Sequence, residues 1–309
     1  MIPCYNEALT IGQVVRDFRR ELPSADIIVF DNNSTDDTAA IACTAGALVY
    51  HERRQGKGYV IQSMFRNIDA GIYVLVDGDG TYPAEAVHQI IQPVRDGEAD
   101  MVIGSRLRDG AANQFKALNR LGNQMYLLVL KVLFGLRITD LLSGYRSFSR
   151  QLVRSLPISS GGFQIEAEIT IKTLERGFPI VEVPVNLGKR PPGSSSKIRI
   201  VHDGLLILGS IFGLLRDYKP FTFFGVLGSI MLLASLIPGS VVLKEYLRTG
   251  LVPHLPSAVL AVGLVLSGLI LLLTGLILHT IARRFQELDR KLQTMLAEIR
   301  RDGSSINNV

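Results

Sequence analysis

Apolar positions along the chain follow two regimes that meet near residue 200. Before it, short apolar runs alternate with helical patterns. The runs at 26–30 (DIIVF), 47–50, 72–76 (IYVLV) and 101–103 predict buried strands. The stretches 36–45, 57–68 and 83–94 between them predict helices, with Pro83 in the place of a first-turn proline. Strand–helix alternation of this kind predicts an α/β domain with a mostly parallel sheet covered on both faces.

After residue 200 the apolar runs lengthen. Neither 221–243 nor 257–281 contains a charged residue, and each is long enough to cross a hydrocarbon core of ~30 Å as a helix. A buried soluble helix satisfies the same test. Two such runs joined by a short polar loop favour a membrane hairpin, kinked at Pro238. The segment 205–215 is too short to span. Followed by Arg216 and Lys219, it reads as an interfacial helix. Beyond the second run, Phe285, Leu288, Leu292, Met295 and Ile299 repeat at coiled-coil spacing. That tail reads two ways, as a solvated amphipathic helix or as a homo-oligomerisation element. The boundaries expected are 1–197 for the α/β domain, 198–219 for the interfacial segment, 220–282 for the hairpin and 283–309 for the tail.

Composition agrees with a membrane protein: 47% of residues are hydrophobic and the mean hydropathy is +0.27. The net charge of +5 suits nucleic acid, anionic lipid or phosphate ligands without choosing among them. Its distribution says more. Lys189, Arg190, Lys197, Arg199, Arg216 and Lys219 precede the first run and Arg283 and Arg284 follow the second, whereas the connecting loop holds Lys244 and Arg248. The positive-inside rule then puts both ends in the cytoplasm, and the plasma membrane is the expected location. No signal peptide is visible, since Met1 is followed at once by a polar motif. Cys4 and Cys43 have no metal or CxxC spacing and read as reduced thiols.

Four polar motifs follow the predicted strands. The first is Pro3-Cys4-Tyr5-Asn6-Glu7. The second runs from Asp31 to Thr38 and contains Ser34, which with Thr35 suits an ordinary helix cap. The third, Gly56-Lys57-Gly58, opens a helix whose amides, with the lysine, suit a phosphate. The fourth is Asp77-Gly78-Asp79-Gly80, directly after a strand. Open α/β sheets bind ligands at the carboxyl ends of their strands. Two carboxylates one residue apart repel each other unless a cation lies between them, and hard oxygen donors select Mg²⁺ or Mn²⁺. A solvated Asp-Gly turn has the same sequence, so the triplet alone is a weak signal.

Taken in order, and with Gly104-Ser105-Arg106 after them, these motifs resemble the family 2 glycosyltransferases of GT-A fold. The resemblance implies that Pro3, Tyr5, Glu7 and Asp31 flank a nucleoside. It places Lys57 near the nucleoside or its diphosphate, and has Asp77 and Asp79 hold the metal. Thr139-Asp140-Leu-Leu-Ser143-Gly144-Tyr145-Arg146-Ser-Phe148 and Arg190-Pro-Pro-Gly193-Ser-Ser195-Ser-Lys197 are similar to segments of the dolichyl- and polyprenyl-phosphate sugar synthases. That narrower likeness implies transfer of a hexose from a UDP- or GDP-linked donor to a polyprenyl phosphate, with membrane lipid and no nucleic acid as partners. It directs Arg106, Arg120, Arg146, Arg190, Ser195 and Lys197 at the acceptor phosphate, with Gln124 one turn beyond Arg120. Asp140 becomes a base or positioner, against a structural cap as its alternative, and Gln164 faces the donor sugar. Arg146 has its own alternative, an ion pair fixing a strand. Glu166 and Glu168 read as surface carboxylates of a helix.

Two departures stand out. The family carries several apolar residues before the Pro-x-Tyr-Asn-Glu motif, where this chain has Met1 and Ile2, so a poorly formed first strand is expected. Close relatives read D-x-D-x-Q, where this chain has Thr81. Water or donor phosphates are expected to complete the coordination. Among rivals, a processive polysaccharide synthase conflicts with the absence of tryptophan and with only two spans. A non-catalytic scaffold conflicts with the retained carboxylates and arginines, and a nucleotidyltransferase with the membrane hairpin.

Overall fold

The computed structural model describes residues 1–106, 131, 138–162, 164–188, 209, 212, 213, 215–217 and 219–306. The chain forms two compact units, Met1–Ile211 and Phe212–Val309.

In the first unit, three short parallel strands make one sheet in the order β1-β2-β3: Ile2–Cys4, Ile28–Asp31 and Leu48–His51. Four more strands make a second sheet, β4 (Ile72–Leu75), β5 (Met101–Ser105), β6 (Arg146–Ser149) and β7 (Ile180–Pro184), in the order β4-β6-β5-β7. Met1 links the sheets: its nitrogen donates to Val74 O and its carbonyl accepts from Val76 N. The strand expected to form poorly is therefore short but paired on both sides, and Ile2 is buried. The sheet is parallel-rich, except that β6 runs antiparallel to both β4 and β5.

Helices α1 (Ile11–Glu21), α2 (Thr38–Thr44), α3 (Lys57–Asn67) and α4 (Val87–Arg95) connect the early strands. On α1, Ile11, Val14, Val15 and Phe18 form the buried stripe that 3.6-residue spacing dictates. Pro83 precedes a short 3₁₀ turn, Ala84–Ala86, instead of opening α4. Its extended ψ of 131° ends the approach to that turn. After β6 come α5 (Arg150–Ser155) and α6 (Ile165–Glu175). On α6 every residue from Ile165 to Thr173 is buried, Glu166 and Glu168 included, so they are not the surface carboxylates expected. A helix covered all round gives no amphipathic stripe from which to read its buried face.

The second unit contains α7 (Pro220–Thr249) and α8 (Leu255–Ile306). Each holds a stretch long and apolar enough to cross a membrane, and those stretches are 11% buried. The apolar side chains of this unit are therefore mostly exposed, as a lipid environment allows. The helices touch where Gly228 meets Gly268. A Cβ added at Gly228 would lie 2.8 Å from Gly268 O, the close backbone approach that small residues permit in membrane helices. Gly250, with φ at 71°, ends α7 in the left-handed region. The tail continues α8 as helix to Ile306.

Candidate active site

The candidate site begins with the loops that leave β1 and β2, which are clasped together. Asn6 N donates to Ser34 Oγ at 2.9 Å, Glu7 N to Thr38 Oγ1 at 2.8 Å and Ala8 N to Asp36 Oδ2 at 3.1 Å. Thr35 N donates in return to Asn6 Oδ1 at 2.7 Å. Ser34 and Thr35 therefore do not cap α2. The polar motif after β2 spends its side chains holding the Pro3–Glu7 loop, where Asn6 takes a positive φ of 52°. Tyr5 stays 38% exposed beside this clasp. Asp31, at the end of β2, is buried. Its Oδ2 accepts from Ser34 N at 3.3 Å and lies 3.4 Å from His51 Nδ1, while Oδ1 is buried with no partner among the described residues.

The segment after β4 carries the paired carboxylates. Asp77 Oδ1 accepts from Lys57 Nζ at 2.6 Å, and Lys57 Nζ also reaches Glu166 Oε1 at 2.7 Å. Burial alone would lower the lysine pKa. The flanking carboxylates Asp77 and Glu166 outweigh it and hold the ammonium charged well above the ordinary lysine range. Asp79 is buried, and its Oδ1 accepts from Thr81 N at 3.1 Å and Thr81 Oγ1 at 2.6 Å. Thr81, standing where relatives read glutamine, thus orients a carboxylate. Gly144 packs on Asp77 so closely that a Cβ there would sit 2.3 Å from Asp77 Oδ2.

Oxygen-only donors one residue apart at a strand end fit a hard dication. Among the described residues no three His, Cys, Asp or Glu side chains converge to hold a metal ion. The pair therefore fits a site of two carboxylates completed by ligand oxygens and water, not a cage built by the protein.

Two amides of Gly56-Lys57-Gly58 are engaged within the protein: Gly56 N donates to Asn32 Oδ1 at 2.7 Å and Gly58 N to Gly161 O at 3.1 Å. The lysine side chain is the motif's charged contribution to the site.

Behind the carboxylates lies a second charged cluster. Asp140 is fully buried. Its Oδ2 accepts from Arg106 Nε at 2.6 Å and from Arg106 N at 3.0 Å, and its Oδ1 accepts from Arg106 Nη2 at 2.8 Å. Glu182, on β7, accepts in turn from Asp140 N and Thr139 N. With both oxygens on one guanidinium and no exposed surface, Asp140 has the geometry of the positioner, of the two roles expected for it, and holds Arg106. Arg146 is corrected. It is fully buried, and its guanidinium donates to the carbonyls of Leu141, Ser143 and Glu166 and to Thr170 Oγ1. It is no acceptor-phosphate ligand, and it fixes its strand through carbonyls and a hydroxyl, not through an ion pair. Gln164 stands at the N-cap of α6, two residues before Glu166. Arg120, Gln124, Arg190, Ser195 and Lys197 lie outside the described residues.

Residues 1–156 match the family described as Glycosyl transferase family 2. The chain belongs to glycosyltransferase family 2. Glycosyltransferase AglJ of Haloferax volcanii is 31% identical over 296 residues, covering 96% of this chain and 97% of that protein. A dolichyl-phosphate hexose transferase of the same organism is 31% identical over 60% of this chain and 80% of its own length. Among solved structures, glucosyl-3-phosphoglycerate synthase from Mycobacterium tuberculosis with Mn²⁺, uridine-diphosphate-glucose and phosphoglyceric acid aligns with a TM-score of 0.57 at 25% identity, over 69% of this chain and 77% of that one. The fold is GT-A, and the enzyme is a hexosyltransferase.

Sequence reasoning missed Glu166, the second carboxylate on Lys57. It also missed Tyr82, whose hydroxyl accepts from Gly144 N at 3.1 Å and ties the turn after Asp79 to the segment before β6. Glu166 had a signal. In Ile165-Glu166-Ala167-Glu168-Ile169, charges are flanked on every side by apolar residues, which suits a buried pair more than a solvated face.

Proposed function

We propose that this glycosyltransferase moves a hexose, with inversion, from a UDP- or GDP-linked donor to a polyprenyl or dolichyl phosphate at the cytoplasmic face of the plasma membrane. The observation that carries this reading is Lys57, half-buried and held between Asp77 and Glu166 at the carboxyl end of β4, with Asp79 two residues beyond Asp77. Together they make a carboxylate site with its own fixed cation, suited to a nucleoside diphosphate and a divalent ion. The dolichyl-phosphate hexose transferase relative and the two apolar helices favour a lipid-linked acceptor.

In this mechanism Pro3, Tyr5, Glu7 and Asp31 flank the nucleoside, and Gln164 faces the sugar. Asp77 and Asp79 would hold Mg²⁺ or Mn²⁺, which neutralises a leaving diphosphate when bound. Lys57 adds a positive charge already desolvated and oriented, so it needs no reorganisation as charge develops. Arg106, its Nε and Nη2 fixed on Asp140, would supply countercharge to the acceptor phosphate. Arg120, Gln124, Arg190, Ser195 and Lys197 supply further contacts to the acceptor phosphate. A phosphate monoester, with a second pKa of about 6, attacks the anomeric carbon without needing a strong general base. The 1–197 domain carries the chemistry, and the two apolar helices anchor the chain in the membrane that holds the acceptor lipid.

The test is transfer from a panel of nucleotide sugars to one polyprenyl phosphate, with the lipid product detected, for the wild type and for Asp79→Asn, with Mg²⁺ or Mn²⁺ present. Lipid-linked sugar from the wild type and its loss in the variant are expected. Activity of Asp79→Asn near wild type would overturn the metal role.

A further inference from the structure

We infer that a buried ion pair outside the donor site, Glu168 with Lys172 on α6, positions Lys57 through the loop 157–161, so that Glu168 is a positioning residue for donor binding. The inference rests on the donor-site reading of Lys57.

Lys172 Nζ lies 2.5 Å from Glu168 Oε1 and donates to Pro157 O at 2.6 Å. Glu168 Oε1 also accepts from Ser159 N at 3.0 Å and Ser159 Oγ at 2.7 Å, and its Oε2 accepts from Ser160 N at 2.8 Å. One carboxylate and one ammonium thus fix three positions of the loop, Pro157, Ser159 and Ser160. Both side chains are buried, so the loop is held by charge-assisted bonds shielded from water, which are stronger and more directional than neutral ones.

The far side of that loop touches the donor site. Ser160 O accepts from Gln62 Nε2 at 3.1 Å, and Gly161 O accepts from Gly58 N at 3.1 Å. The fit is close enough to dictate sequence. A Cβ at Gly58 would fall 2.0 Å from Ser160 O, and one at Gly56 would fall 2.2 Å from Gly161 O. The two glycines that bracket Lys57 are therefore explained by the loop carbonyls they pack against, with no phosphate required. Lys57 leaves this junction to reach Asp77 and Glu166. Glu166 lies half a turn before Glu168 on α6, so one helix supplies both Lys57's partner and the anchor of the loop on which its backbone rests. Loosening the loop displaces the first turn of α3, and Lys57 with it. Glu168 does not touch the ligand in this arrangement.

The experiment uses the full chain in detergent and has two arms. In the first, no nucleotide is present: the amine reactivity of Lys57 toward an acylating reagent is read by mass spectrometry. Wild-type Lys57 is expected to be protected and Glu168→Gln to raise its reactivity several-fold, with Gln62→Leu, a milder cut at the same junction, moving it in the same direction. Unchanged reactivity in both folded variants would overturn the inference. In the second arm, affinity for UDP-glucose and for GDP-mannose with Mn²⁺ is measured by calorimetry in a double-mutant cycle with Lys57→Ala. Glu168→Gln is expected to weaken binding by roughly tenfold to a hundredfold in the wild-type background and to do little when Lys57 is already alanine. Additive losses would mean that Glu168 serves stability alone, and would overturn it. If the first arm holds while no form binds either nucleotide sugar, the donor-site reading fails and the positioning of Lys57 by the loop stands. Should Glu168→Gln not fold, Gln62→Leu carries both arms.

Discussion

At Asp31 one carboxylate oxygen is engaged by Ser34 and faces His51, while the other is buried without a partner among the described residues. A buried acceptor left unmade costs about 1–3 kcal/mol, more when charged, so a ligand N–H or hydroxyl that meets it recovers that energy on binding. Asp31→Asn is therefore expected to raise KM for the nucleotide sugar on the order of tenfold with a smaller change in kcat, measured by steady-state transfer. A more stable protein with unchanged KM would instead assign Asp31 to the fold. Arg146 makes the opposite prediction. Arg146→Met strands the carbonyls of Leu141, Ser143 and Glu166, and should cost on the order of 3 kcal/mol in unfolding free energy while leaving KM for the lipid phosphate unchanged in the folded fraction. Both residues were named from sequence. The motif gave their identity and order, but not their exposure, because burial is decided by what packs over a strand and not by the strand's own residues.

Among the elements, α6 carries two buried ion pairs, and Glu168 is the one with a pH signature. Burial alone would push its carboxyl up. Lys172, Ser159 and Ser160 outweigh that and bring it from 4.5 down to about 2. A carboxyl depressed in the folded state contributes stability that is complete above its unfolded value and lost as pH falls toward the folded one. Between pH 4.5 and about 2 the wild type should therefore lose stability more steeply than Glu168→Gln, which has no proton to take up, with circular dichroism as the measurement. Strand β6 shows what remained illegible at this scale. Its Arg-Ser-Phe-Ser sequence has no apolar run, and it was read only as part of a motif. It lies in the sheet because Phe148 and Ser147 pair with both β4 and β5, a partnership residues far apart in sequence decide. The four strands read from apolar runs (β2, β3, β4 and β5) are all present, each within about two residues of its expected bounds.

At the scale of the whole molecule, the two apolar helices of the second unit fit a membrane hairpin. The proposed topology, with both termini cytoplasmic, predicts that Leu251, between the two apolar helices, lies outside the cell and that Cys43, exposed in the first unit, lies inside. In intact cells a membrane-impermeant maleimide should label Leu251→Cys in a Cys43→Ser background, and should label Cys43 of the natural chain only after permeabilisation. The reverse pattern would invert the topology drawn from the basic residues. The protein should also stay with the membrane on alkaline carbonate extraction, since two apolar stretches of this length are far costlier to expose to water than to leave in lipid.

The sequence by itself determined the division of the chain, the strand ends that carry polar groups, the paired Asp77 and Asp79, and the two apolar helices. Each follows from local period, length or charge. Tertiary structure decided which of those groups face one another. It paired Lys57 with Asp77, 20 residues along the chain, and with Glu166, more than a hundred residues along, locked Asp140 onto Arg106, withdrew Arg146 into the core, and turned the Ser34–Thr38 motif into a clasp for the loop after β1. The physical reason is the same in each case. A charged side chain in water needs no particular partner, and only burial forces it to find one.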